Sequence, residues 1–284
     1  WTVNFAANAS FIKNKIIELP EQNKDGIISG AQKIVEGKSR YEFFTYTYVG
    51  VDQMTGNSLY KANLEDYCVK AADGTVIGNP KGSDITSKTV HIGDKYYVNN
   101  TTYAIKEFQG SAIPKVYGSF TPSVRFPDLT LSAMFTYSLG GKIYDGVYAG
   151  LMATGTSAYN NHKDILNSWN GVPEGMTEDS PNRIWYGGIP QVNSTTSSDN
   201  NGTSSRWITS ANYIVLKNIN MSYSLPKAWV KALTLESVRF NFACENAFTS
   251  TKRRGLNPQQ GFSGFQYNYL VTPRVFTVGL DVKF

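Results

Sequence analysis

Charge is scarce in this sequence. Asp, Glu, Lys and Arg make up 17% of its 284 residues, against roughly 25% in an ordinary soluble domain. Hydrophobic residues reach only 41%, below the usual range of about 45–50%. That double shortage disfavours a helical bundle or coiled coil, which draws on Ala, Leu, Glu and Lys. Cysteine is limited to Cys68 and Cys244, too far apart for a disulfide framework or a zinc pattern. Histidine is limited to His91 and His162. No run of 18 apolar residues occurs, so a transmembrane helix is not expected. Strands of a membrane barrel, short and half apolar, escape that test. The net charge of +5 is not gathered into a basic block, which gives no reason to expect a nucleic-acid partner.

Aromatics are plentiful instead, with 18 Tyr and 15 Phe, and Gly, Ser, Thr and Asn fill the remaining space. Such aromatic content argues against a disordered tail. The mixture suits many strands joined by polar loops.

Alternation at period two is the strongest pattern. Leu129, Leu131, Ala133, Phe135, Tyr137 and Leu139 alternate with Thr130, Ser132, Met134, Thr136 and Ser138. Soluble strands average about 5–6 residues, whereas a membrane-crossing strand needs about 9–11, and this run has the longer length. Phe276, Val278, Leu280, Val282 and Phe284 alternate with Thr277, Gly279, Asp281 and Lys283. Similar runs occupy 1–11, 116–126, 213–224 and 237–245, and 41–49 is a further strand, nearly all aromatic or β-branched. In 213–224 the spacing predicts one face made of Tyr213, Val215, Ile219, Met221 and Tyr223, with Lys217 as an exception. The count is about seven long strands.

Connections differ sharply in length. Pro127-Asp128 reads as a tight hairpin turn, and 225–235 as a compact link whose Pro226 suits the start of a helical turn. Segments 50–115, 140–211 and 247–272 are long. Outer-membrane barrels have short turns at one end and long loops at the other. On a seven-strand count 14–40 is an exception, long yet at the short-turn end. His91 to Tyr97 reads as a hairpin folded within the first long loop. About seven strands are too few to close a barrel, which has at least eight. The chain also starts at Trp1 within a strand pattern, so an upstream part is expected.

Several segments together resemble the C-terminal part of SusC/RagA-type TonB-linked outer-membrane transporters. They are Phe135-Thr136-Tyr137-Ser138-Leu139-Gly140-Gly141-Lys142-Ile143-Tyr144-Asp145 after Pro114-Lys115-Val116-Tyr117-Gly118, then Tyr213-Ile214-Val215-Leu216-Lys217-Asn218-Ile219 leading to Tyr223-Ser224-Leu225-Pro226. Further on come Glu245-Asn246-Ala247-Phe248-Thr249 with Gly255-Leu256-Asn257-Pro258, and Pro273 to Leu280 with the terminal Phe284. The resemblance implies an all-β fold. Residues 1–284 would supply the C-terminal strands of a large transmembrane antiparallel β-barrel of about 22 strands, with long extracellular loops. The plug domain and earlier strands would lie outside this chain. It further implies the outer membrane of a Gram-negative cell, a SusD-like lipoprotein lid, and TonB acting through the plug. The substrate would be an oligosaccharide, or a peptide in some members. Outer-membrane lipid and the rest of the same barrel would be its other neighbours. Such a protein makes and breaks no bond, so neither catalytic residues nor a cofactor nor a metal is expected. Loops 68–106 and 187–206 match no family motif and are the expected place for substrate or lid contacts.

Candidate sites follow from residue chemistry. Sugars are held by aromatic faces together with polar side chains, and Trp169, Trp185, Tyr186 and Trp207 share the connection 140–211 with many Asn, Ser and Thr. These four are the predicted substrate-binding residues. Their plainer reading is that they pin the loop to the barrel rim or meet the lid. Tyr137, Tyr144, Tyr213, Tyr223 and Phe284 suit interfacial girdles. Glu174, Glu178 and Asp179 lie close together, but a glycosidase needs two carboxyls on a rigid frame, and a solvated Gly/Pro-rich turn fits them better. Asp52-Gln53-Met54-Thr55-Gly56-Asn57 lacks the further oxygen ligands of a calcium loop and reads as a β-turn. Lys252-Arg253-Arg254 reads as a solvated loop, with an acidic ligand as the alternative. Two other functions compete: a secreted β-sandwich carbohydrate-binding or adhesin module, and a passive porin. A sandwich would seal Leu131, Phe135, Val278 and Leu280 inside a core, and a barrel wall would leave them uncovered.

Overall fold

Long alternating runs and short ones go to different places. The computed structural model describes residues 1–63, 89–93, 95–153, 160–259, 261–267 and 271–284. Cys68 and Asp94 lie outside the described residues, as does much of the expected contact loop 68–106. The chain opens with β1 (Thr2–Phe11). Among the described residues eight short strands follow: β2 (Ile27–Ser29), β3 (Gln32–Ile34), β4 (Glu42–Tyr46), β5 (Tyr48–Asp52), β6 (Ser58–Lys61), β7 (Thr89–Ile92), β8 (Lys95–Val98) and β9 (Lys106–Ser111). Then come β10 (Val116–Arg125), β11 (Leu129–Leu139), β12 (Lys142–Asp145), helix α1 (Gly146–Leu151), β13 (Ile184–Trp185), helix α2 (Ser197–Asn200) and β14 (Ile208–Ser210). The chain finishes with β15 (Tyr213–Ser224), helix α3 (Lys227–Ala232), β16 (Ser237–Thr251), β17 (Phe265–Gln266) and β18 (Val275–Lys283). No helix among the described residues is long and apolar enough to cross a membrane.

The chain divides into two units. The first, Trp1–Lys15, Ser111–Ile143 and Ser210–Phe284, holds an antiparallel six-stranded sheet in the order β1-β10-β11-β15-β16-β18. Its register sorts side chains by polarity. Val3, Val124, Leu131, Met221, Phe242 and Val278 form one row across all six strands. The next row, on the other face, is Asn4, Ser123, Ser132, Asn220, Ala243 and Thr277. Polar-face side chains bond to one another: Ser222 Oγ donates to Asn241 Oδ1 (2.9 Å) and Asn241 Nδ2 to Asp281 Oδ2 (2.6 Å).

The apolar face is uncovered. Leu131 is 36% exposed, Leu280 58% and Val278 78%. Phe135 is half-buried, because the Phe120 ring stacks on it at 4.7 Å. One half of a sandwich would bury this face against a second sheet, so the sandwich alternative loses its main support.

Two expectations are corrected. First, 41–49 is not a wall strand. It breaks at Thr47, whose N–H donates to the Ile105 carbonyl (3.2 Å), and its halves β4 and β5 join two different small sheets. With six wall strands, the excursions 12–115, 140–212 and 252–274 all leave from one end of the sheet, and 126–128 and 225–236 close the other. The apparent exception at 14–40 vanishes. Second, Tyr213 and Val215 do not share a face with Ile219, Met221 and Tyr223. A bulge at Lys217 shifts the register between Leu216 and Asn218, and an extra residue reverses side-chain parity. Ile214 and Leu216 therefore join the apolar face, while Tyr213 and Val215 pair with Ser138 and Thr136 on the polar one.

The tight turn at Pro127-Asp128 is present, with the Phe126 N–H donating to the Leu129 carbonyl (2.7 Å), and Pro226 immediately precedes α3. The second unit, Ile16–Gly110 and Tyr144–Thr209, holds a five-stranded sheet β13-β5-β6-β8-β7 and a four-stranded sheet β2-β3-β4-β9. The expected hairpin is β7–β8, with Ile92 opposite Lys95 and Gly93 at φ 59°. Tyr60, Leu59, Val51, Val98, Met152 and Trp207 are among its buried side chains.

Candidate functional site

The β5–β6 hairpin organises the second unit. Its turn is closed by the N–H groups of Thr55 (3.2 Å) and Gly56 (2.7 Å), both donating to the Asp52 carbonyl, with Gly56 at φ 72°. The Asp52 side chain is fully buried. Arg183 grips it with two donors, Nε to Oδ1 (2.9 Å) and Nη2 to Oδ2 (3.2 Å). The Met54 N–H and Thr55 Oγ1 add a further donor each, at 3.1 Å. Both carboxylate oxygens are thus engaged by donors, and the β-turn reading accounts for Asp52 without calcium. The bond to Asp52 raises the Arg183 pKa above its ordinary value.

Two of the four predicted substrate-binding aromatics, Trp169 and Trp185, attach to this hairpin. Trp169 Nε1 donates to the Gln53 carbonyl (3.0 Å). Its ring lies on Gly56, where a Cβ would stand 2.3 Å from ring carbon, so only glycine admits the indole. Trp185 lies in β13 opposite Val51, its ring against Gly188 at a similarly close approach. Tyr186 follows it and is 71% exposed. Trp185 keeps partial exposure and Trp169 is half-buried. The site therefore has one free ring and two supported ones.

Trp207 is a correction. It is 1% exposed, and its indole N–H donates to the Gly202 carbonyl (3.0 Å). The Arg206 guanidinium covers its ring at 4.3 Å, and Tyr148 meets it edge-on at 6.0 Å. No face is left for a sugar. Arg206 also lies over the Tyr48 ring (5.6 Å) and donates to the Asn200 carbonyl (3.0 Å). Burial lowers its pKa, and the aromatic faces and carbonyl offset part of that loss of hydration. Tyr60 packs edge-on against Tyr48 (5.9 Å) and donates to the Asp199 carbonyl. Burial pushes the pKa of both phenols up. Sequence reading missed Tyr48, Tyr60 and Arg206 as a group; the adjacency of Arg206 and Trp207 was the one local signal.

Both histidines have structural partners, as does Tyr148. Tyr148 Oη donates to Asp164 Oδ2 (2.9 Å), and burial, followed by that bond, pushes its pKa up to about 12. His162 Nδ1 accepts the Asp164 N–H (3.2 Å) and caps a helical turn. His91 stacks on Tyr96 at 4.7 Å. Glu174, Glu178 and Asp179 are exposed, and Glu178 offers its backbone carbonyl to Arg183 Nη1 (3.0 Å). In the first unit, a cavity of about 450 Å³ opens beside Tyr117, Ser138 and Tyr213, with Lys142 and Gln259 also lining it. Those first three pair with one another on the polar face.

No family model matches the chain. Two curated proteins of Formosa agariphila, TonB-dependent receptor P3 and TonB-dependent receptor P39, are similar to it. Identity is 24% over 100% of the chain for the first and 25% over 93% for the second. The chain spans 27% and 26% of their lengths. Among solved structures, the RagAB peptide transporter superposes with a TM-score of 0.70 at 19% identity, covering 99% of this chain and 27% of that one. The RagAB importer in its closed-closed state gives 0.65 at 21% identity. The fold is that of a TonB-dependent transporter barrel, about a quarter of it. The matching part of the TonB-dependent receptors is a C-terminal portion, and the SusC/RagA resemblance read from the sequence is upheld. In a receptor barrel of this kind the six-stranded sheet is a stretch of wall. Lys217 and Asn246, both in the motifs that carried the resemblance, occupy its bulge.

Proposed function

We propose that this chain forms part of the wall and outer loops of an outer-membrane, TonB-dependent importer. Its cargo is an oligosaccharide or a peptide, delivered under a SusD-like lipoprotein lid. The observation that carries the proposal is the six-stranded sheet with an uncovered apolar face and a hydrogen-bonded polar one. Strands of 9 to 15 residues are long enough to cross hydrocarbon. The edge strands β1 and β18 point to further strands, since an unpaired backbone group in lipid costs several kcal/mol. The plug on which TonB acts belongs to the remainder of the barrel.

Passage through such a protein is binding and gating, with no bond made or broken. Trp185 and Tyr186 supply stacking faces for cargo, and the polar wall beside Tyr117, Ser138 and Tyr213 supplies hydroxyls along the route. The test uses the full-length protein in its own outer membrane. It should fractionate there, migrate heat-modifiably in detergent gels, and take up unmodified cargo only while TonB is present. Uptake that continues without TonB favours the passive porin. Recovery as a soluble monomer without detergent removes the membrane reading altogether.

A further inference from the structure

The end of the wall sheet from which the long excursions leave carries a groove of about 580 Å³. Phe120, Tyr137, Leu139 and Ile214 form its floor. They belong to the apolar face, where Phe120 lies opposite Phe135 and Tyr137 opposite Ile214. Ser250, paired with Ile214, also lines the hollow and is smaller than Phe248 and Lys252 two residues to either side of it. At the lip stand Asn212 and the exposed Lys252.

Charge is distributed unevenly between the two ends of the sheet. The connecting segments at the groove end, 12–15, 111–115, 140–143, 210–212 and 252–274, contain eight Lys and Arg and no Asp or Glu. At the other end, 126–128 and 225–236 contain Lys227 and Lys231, balanced by Asp128 and Glu236. Among the residues lining the hollow, Lys252 carries the charge, and an apolar hollow with a cation at its lip fits an amphiphile with acyl chains and an anionic head.

We propose that this groove is a binding site for a phosphate-bearing lipid of the surrounding leaflet. An acyl chain lies along Phe120, Leu139 and Ile214, the phosphate meets Lys252, and Asn212 bonds the neighbouring polar atoms. Imported cargo is a poor fit, because the floor belongs to the face opposite the polar ladder. The inference rests on the membrane-wall reading above.

The test is native mass spectrometry of the full-length protein in detergent, titrated with lipid A, with dephosphorylated lipid A and with inorganic phosphate. Lipid A should stay bound where its dephosphorylated form does not. Lys252→Ala should weaken it about fivefold, the equivalent of about 1 kcal/mol for one cation at an anionic surface. Ser250→Trp, which fills the hollow, should abolish the adduct while heat-modifiable migration persists. Equal retention of the dephosphorylated lipid overturns the proposal, as does undiminished binding by Ser250→Trp. Displacement by millimolar phosphate alone reassigns the lip to a free anion and also overturns it. A protein absent from the outer membrane sinks both readings, whereas one that is present there but indifferent to the phosphate sinks only this one.

Discussion

Lys217 Nζ donates to Oδ1 of Asn246 at 2.8 Å across the bulge that joins β15 to β16. Asn246 in turn donates through Nδ2 to the Pro273 carbonyl (3.0 Å), and it holds a left-handed φ of 52°. One side chain thus ties together a bulge, a neighbouring strand and the approach to β18. Asn246→Gly keeps the backbone conformation and loses both bonds, at about 1 kcal/mol each. Asn246→Ala loses the bonds and adds about 1–2 kcal/mol for a left-handed Cβ. The alanine variant should therefore unfold at lower denaturant than the glycine variant, followed by heat-modifiable migration of the full-length protein. Equal midpoints would show that the left-handed conformation contributes nothing.

Gly118 lets β10 lie close beside β1, its antiparallel neighbour. A Cβ there would stand 2.1 Å from the Asn8 carbonyl oxygen, and the Tyr137 hydroxyl passes over it to donate to that same oxygen (3.2 Å). Gly118→Ala should cost about 1–3 kcal/mol, the range for overpacking. Gly279→Ala is the control, since its Cβ would meet nothing closer than Asn241 Cβ at 3.7 Å. The pair separates a local clash from a general intolerance of substituted glycines in the wall.

The wall was legible where alternation is strict. Leu129 to Leu139 keeps one parity throughout, and its face follows directly. β15 misled because parity alone cannot reveal an extra residue. Lys217 looked like a polar exception on an apolar face, when it is the residue at which the faces exchange. The run 41–49 misled for a different reason: dense aromatics without alternation suit a buried strand in any sheet, and nothing local marks the break at Thr47. In the candidate site, the Asp52 turn was visible from its Gly and Asn, but its partner Arg183 lies 131 residues away. Trp207 was grouped with the other loop aromatics because sequence does not distinguish a ring beneath a guanidinium from one facing water.

Asp52 and Arg183 should behave as a buried ion pair. Removing one partner leaves an uncompensated buried charge, at about 3–5 kcal/mol. Asp52→Ala should therefore open the β5–β6 hairpin and expose 173–183 to protease. Wall migration should remain heat-modifiable, because the pair lies wholly within the second unit. Asp52→Asn, which keeps an acceptor for Arg183, should be cleaved at an intermediate rate.

Glu107 gives the second unit an acid-sensitive contact. Hydrogen bonds from Lys61 Nζ (2.6 Å) and then Thr47 Oγ1 (2.7 Å) hold its pKa below the ordinary 4.5. A lowered folded-state pKa contributes stability that is present above 4.5 and lost as pH falls through the folded value. Protection against hydrogen exchange at Lys61 and Glu107, taken relative to the intrinsic rate at each pH, should fall below that value and recover on neutralisation. Glu107→Gln should lose this pH step while keeping one acceptor for Thr47.

The aromatic candidates divide by accessibility, and cargo binding can test the division. Trp207→Ala deletes a ring packed under Arg206 and against Tyr148, so it should cost about 3–5 kcal/mol of local stability. Any loss of binding should then scale with protease sensitivity. Tyr186→Ala removes an exposed ring with little packing to lose. It should leave proteolysis unchanged and weaken oligosaccharide binding several-fold, the equivalent of about 0.5–1.5 kcal/mol for one ring contact. Trp185→Ala should do both, because its ring packs on Gly188 and still shows a face. Titration of the full-length protein with oligosaccharide and with peptide, read beside a proteolysis time course, distinguishes these outcomes. If Tyr186→Ala and Trp185→Ala bind both ligands as the parent does, the hairpin aromatics do not contact cargo, and pinning the loop becomes their explanation.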